Sequence, residues 1–178
     1  MAQGGQRVLL VDTDLRRPRM HKALGVSRAT GLTNLIMHEV SVDDVVKTTD
    51  IPNLYVMPCG PTPPNPAELL LTKRFREVLA DLQARFDFIL LDSPPLLAVT
   101  DAVILARLSD GVVLIAQAGK TAADDARQAA SQLRDVDAPI LGVILNDMDI
   151  SDRRYGYYYY YQYGYGEKLP EPGAGPST

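Results

Sequence analysis

Two apolar runs in this chain close on aspartate. The first is Val8-Leu-Leu-Val-Asp12-Thr-Asp14-Leu-Arg16-Arg17-Pro18, and the second is Phe88-Ile-Leu-Leu-Asp92-Ser-Pro-Pro95. In open α/β sheets ligands bind beyond the carboxyl ends of the strands, so a carboxylate there faces the crevice. Two or three carboxylates with only arginines beside them make an anionic site. Such a site suits Mg²⁺, which takes few protein carboxylates and shares its shell with water and phosphate. One strand-end aspartate alone more often caps a turn. Two, each followed by a proline-marked turn, point to a site.

The second chemical feature is phenolic. Eight of the nine tyrosines fall between Tyr155 and Tyr165: Tyr155, Tyr157, Tyr158, Tyr159, Tyr160, Tyr161, Tyr163 and Tyr165. A strand would send alternate rings to opposite faces, and a helix would crowd them on all sides. Residues 151–178 lack apolar periodicity and read as a mobile appendage to a domain at 1–150. Hydroxyls on such a segment are open to phosphorylation, and each phosphate adds about −1.5 to −2 charges at pH 7. The plainer alternative is a sticky low-complexity tail.

The elements that must position the aspartates alternate in type. Strands are expected at Val8–Asp12, Leu54–Pro58, Phe88–Asp92, Gly111–Ala116 and Ile140–Asn146. Most are continuously apolar, as in parallel strands covered on both faces. A helix opens at Asn65-Pro66-Ala67-Glu68, and Leu71, Phe75, Val78, Leu79, Leu82 and Phe86 form one stripe along it. Thr121-Ala-Ala-Asp124 caps another helix, and Ser41-Val-Asp-Asp44 opens a shorter one. Repeated β–α alternation predicts a three-layer α/β fold with a mostly parallel sheet.

Composition narrows the class. The 178 residues carry a net charge of −4, which gives no sign of a nucleic-acid partner. The single cysteine, Cys59, excludes an internal disulfide and fits a reducing compartment. No apolar run reaches the roughly 18 residues of a membrane span. A cytoplasmic protein is expected.

The run VLLVDTDLRRP resembles the Walker A′ motif of bacterial tyrosine kinases, and FDFILLDSPPLLAVTDA resembles their Walker B motif. The AGKT segment at 118–121, the VILND segment at 143–147 and the tyrosine cluster add to the likeness. These kinases regulate capsular and exopolysaccharide synthesis and export, and their fold is that of P-loop NTPases related to MinD and ParA. The resemblance implies ATP and Mg²⁺ as cofactors. It implies Asp92 holding Mg²⁺ through water. It implies Asp12 and Asp14 sharing proton acceptance from tyrosine and ordering of the metal's water shell, with Asp12 the base. Asn146 matches the asparagine that reads adenine, though a buried polar cap would look the same. Arg16, Arg17 and Arg19 would clamp phosphate, meet an acidic patch on a neighbouring subunit, or stand solvated in a loop.

Further expectations follow from the family. The tyrosine cluster is the autophosphorylation substrate, and the intact enzyme forms a homo-oligomeric ring that phosphorylation breaks up. A membrane-embedded polysaccharide co-polymerase, fused upstream or separate, activates the kinase at the inner face of the plasma membrane. One part of the pattern is missing: the 178 residues contain no G-x-x-x-x-G-K-[ST]. Gly119-Lys120-Thr121 matches its end, without the earlier glycine. The expectation is a domain lacking the P-loop strand and helix, with poor ATP affinity, marginal stability and an uncovered edge beside Phe88–Asp92. Two other readings fit parts of the pattern: a ParA/MinD-like ATPase, and a non-catalytic pseudokinase or substrate fragment.

Overall fold

The computed structural model describes residues 1–148. The tyrosine cluster and the boundary expected at 150 lie outside the described residues. In chain order the elements are β1 (Val8–Asp12), α1 (Met20–Ala23), α2 (Leu32–Ile36), α3 (Val42–Val45), β2 (Lys47–Thr48), β3 (Leu54–Met57) and α4 (Pro66–Leu71). Then come α5 (Lys73–Gln83), β4 (Phe88–Asp92), α6 (Asp101–Ala106), β5 (Val112–Gln117), α7 (Ala123–Arg134) and β6 (Ile140–Asn146). The fold is α/β with parallel strands, as the alternation requires.

The sheet is not continuous among the described residues. One sheet has the order β2-β3-β1-β4, with β3 and β4 parallel to β1 and the short β2 antiparallel to β3. A second, two-stranded sheet pairs β5 with β6 in parallel. Each apolar strand found a parallel neighbour, but among the described residues β4 pairs only with β1. Its other edge therefore carries backbone groups without a ladder.

Alternation along β1 and β4 decides what is covered. Leu9, Val11, Ile89 and Leu91 point into the main core, against Phe75, Val78 and Leu82 of α5 and Leu32 and Leu35 of α2. On the other face Phe88 and Leu90 stay 36 % and 47 % exposed. A smaller core joins Leu133 of α7 to Val112, Leu114 and Ile140. Helix α6 serves both cores, Leu105 in the larger and Ala106 in the smaller, and so ties the two sheets together.

Two helical expectations are corrected. The stripe from Leu71 to Phe86 is not one helix. Thr72 takes extended backbone (φ −63°, ψ 151°) and accepts from the Phe75 amide, starting α5 afresh. Leu71 consequently turns outward and is 54 % exposed. Thr121 does not cap α7. Its hydroxyl instead accepts from the Gln117 amide across the preceding turn (2.9 Å), and α7 begins after Ala122. Ser41 does open α3, its amide donating to the Asp44 carboxylate at 2.8 Å.

Candidate active site

Parallel pairing sets the carboxylates side by side. The β1–β4 register places Asp12 opposite Asp92 at the same end of the ladder. Thr13, fully buried, ties the two strand ends together: its amide donates to the Asp92 carbonyl at 3.0 Å, and its hydroxyl donates to the same oxygen. Asp14 follows in a tight turn, with Oδ1 accepting the amides of Arg16 (3.1 Å) and Arg17 (2.9 Å).

Asp12 is 0 % exposed, and neither of its oxygens has a hydrogen-bond partner among the described residues. Buried carboxylates are ordinarily satisfied, which sets this one apart. Burial first, then the charges of Asp92 and Asp14, raise its pKa to about 6. The nearby backbone amides of Met20 and Asp14 hold it down in part. Asp92 opens to solvent on one side; desolvation of its inner side, then Asp14, raise its pKa as well. Cys59 lies beside this cluster, its thiol pushed up to about 12 by burial and by the Asp12 charge.

Among the described residues no three His, Cys, Asp or Glu side chains come together closely enough to hold a metal alone. Mg²⁺ takes most of its shell from water and phosphate and needs few protein oxygens. The orphaned buried oxygens of Asp12, with Asp92 in register beside it, fit such a cation.

The other sequence candidates fall in different places. Arg16 does not reach into the carboxylate cluster as a free clamp. Its Nε and Nη2 donate to the two oxygens of Asp101 at 2.9 Å each. Arg17 and Arg19 are exposed and form no ion pair among the described residues. Asn146 ends β6 in the second sheet and is exposed, which removes the buried-cap reading. Its carbonyl accepts from the Ala118 amide. Gly119-Lys120-Thr121 is an ordinary turn after β5, with Gly119 at φ +72°. Sequence reading missed Thr13 and Asp101. Thr13 was hidden between two more eloquent aspartates, and Asp101 lies 85 residues from its partner.

A parallel sheet with paired strand-end carboxylates beyond it has the α/β architecture of P-loop NTPase domains. A family model described as an AAA domain matches residues 1–141. The archaeal septum-site protein MinD from Pyrococcus horikoshii, solved with Mg-ADP, superposes with a TM-score of 0.69 at 25 % identity, over 85 % of this chain and 62 % of that one. Nearer relatives narrow the class. Tyrosine-protein kinase YwqD of Bacillus subtilis is 40 % identical over 158 residues, 88 % of this chain and 67 % of the relative. The chimerical protein CapA2B2 superposes with a TM-score of 0.80 at 31 % identity, over 83 % of this chain and 65 % of that one. The chain belongs to the bacterial tyrosine-protein kinase family, and spans about two thirds of the length of these kinase-family relatives.

Proposed function

We propose that this chain supplies the carboxylate half of an ATP-dependent protein-tyrosine kinase site, together with its tyrosine acceptors. The observation that carries the reading is Asp12: buried, unpartnered, and adjusted to a pKa of about 6. At pH 7 such a group is mostly ionised and can accept a proton. Tyrosine, with a pKa near 10, keeps its proton at that pH and needs an acceptor as it attacks.

In this reading Asp12 takes the phenol proton. Asp92, open on one side, and Asp14, steadied by two amides, would hold Mg²⁺ through its water shell. When bound, Mg²⁺ would supply neutralisation of phosphate charge. Thr13 keeps the two strand ends at fixed separation. Asn146 would contact the adenine, and Tyr155, Tyr157–Tyr161, Tyr163 and Tyr165 would be the acceptors. Arg16, held by Asp101, acts on the loop instead of on phosphate. Regulation of capsular or exopolysaccharide export, a ring assembly, and a membrane-embedded activator at the inner face of the membrane follow from the family relationship and extend the same proposal.

A second reading is favoured by one observation: the 178 residues contain no G-x-x-x-x-G-K-[ST] to neutralise the phosphates. In it the chain is an acceptor for a complete kinase. The test incubates the full chain with ATP and Mg²⁺, alone and with an active homologous kinase, and maps phosphotyrosine by mass spectrometry. Phosphate on Tyr155–Tyr165 in the chain alone, abolished by Asp12→Asn, supports the enzyme. Phosphate only with the homologue, unaffected by Asp12→Asn, supports the acceptor. No tyrosine phosphate in either case overturns both.

A further inference from the structure

We propose that Asp101 is a positioning residue that latches the loop carrying Asp14 over Asp12, acting through Arg16. The inference deepens the kinase reading above, since the loop it fixes is that reading's A′ loop.

Asp101 is a charged side chain with 0 % exposure, and the other buried acid among the described residues, Asp12, is unpartnered there. A carboxylate is removed from water at a cost that only a well-formed partner offsets. Arg16 is that partner. Its planar fork meets both oxygens at 2.9 Å, the two-bond geometry that a lysine cannot reproduce. The Arg16 side chain is 40 % exposed and Asp101 is fully buried, so the arginine reaches inward from the surface.

What the fork joins gives it meaning. Arg16 is two residues beyond Asp14, and its own amide donates to the Asp14 carboxylate. Asp101 opens α6, the helix that contributes Leu105 to one core and Ala106 to the other. The fork therefore fixes a catalytic loop to the one helix shared by both sheets. The loop pinned this way runs from Thr13 to Met20 and leaves β1 directly after Asp12, which is fully buried. With the latch closed Asp12 is enclosed, and an acceptor phenol has no open path to it. With the latch released, the loop has no other side-chain tie to α6 among the described residues.

Two consequences distinguish a latch from a simple staple. The loop amides of Arg16 and Arg17 lose protection when either partner is changed. Asp12 becomes reachable by a small reagent. The experiment uses the full chain and three variants: Asp101→Asn, Arg16→Lys, and both together. Hydrogen exchange by mass spectrometry reads the loop, and labelling by a water-soluble carbodiimide with an amine reads the Asp12 carboxyl.

Roughly tenfold faster exchange at residues 16 and 17 in each single variant is expected, with the β1 amides unchanged and the double variant no faster than the singles. Asp12 becomes labelled in the variants and stays unlabelled in the parent. Unchanged loop exchange and an unlabelled Asp12, alongside a lowered melting temperature, would show that the pair merely anchors α6 and would overturn the proposal. If Asp101→Asn does not fold, Arg16→Lys alone decides, because it keeps the charge and loses the fork. These readouts need no turnover, so failure of the latch is separate from failure of the kinase reading.

Discussion

Replacing Asp12 by asparagine should change how stability depends on pH. In the folded chain its carboxyl is raised from 3.8 to about 6, so the folded state holds the proton longer than the unfolded chain does. Stability contributed by the neutral acid is then present at low pH and is lost as pH rises from about 4 through about 6. The shift corresponds to about 3 kcal/mol, roughly half of it lost by pH 5. Asparagine cannot ionise, so Asp12→Asn is spared that loss. The buried amide has its own unmet hydrogen bonds, costing about 1–3 kcal/mol at every pH. The quantity to compare is therefore the slope. Urea denaturation of both proteins at pH 4, 5, 6 and 8 should show the parent falling by about 2–3 kcal/mol relative to the variant across that range. Adding Mg²⁺ at pH 8 should restore part of the parent's loss and leave the variant unmoved. Parallel stability curves for the two proteins would refute the assignment of Asp12 as a strained, unpartnered acid.

Other predictions test the frame that holds the site. Phe75→Ala empties the centre of the main core, where the ring is fully buried, and should cost about 3–5 kcal/mol in urea denaturation. Gly31→Ala would place a methyl 2.1 Å from the Pro58 carbonyl oxygen, so the clasp between α2 and the end of β3 must open. A loss of about 3 kcal/mol or more is expected, and a melting temperature like the parent's would contradict that contact. Thr72→Ala removes the hydroxyl that accepts the Phe75 amide and should cost about 1 kcal/mol, with far-UV circular dichroism otherwise unchanged.

Much of this arrangement was legible in the residues. β1, β4 and β6 follow their apolar runs end to end, because continuous β-branched and leucine-rich stretches have few alternatives once they are buried in parallel. The pairing of Asp12 with Asp92 was legible too, since both close such runs and parallel strands bring like ends together. What escaped was set by long-range geometry. Arg16 stands beside the aspartates in sequence, so charge alone suggested a phosphate ligand; its true partner is far along the chain and inside α6. The short helices α1 and α2 escaped because their few residues carry too little periodicity to register. Thr72 broke an apparently unbroken stripe, because one side-chain cap outweighs helical continuity where two helices must change direction. The interruption between β4 and the β5–β6 pair is visible only once the ladders are drawn.

That interruption governs how the molecule behaves in company. Phe88 and Leu90 on β4, with Ile115, Leu141 and Val143 bare on the second sheet, leave apolar side chains open on both sheets. A net charge of −4 offers little repulsion to keep copies apart. Strongly hydrated salts such as sulfate strengthen apolar attraction, so the described domain should cloud in them at modest protein concentration and clear again on dilution.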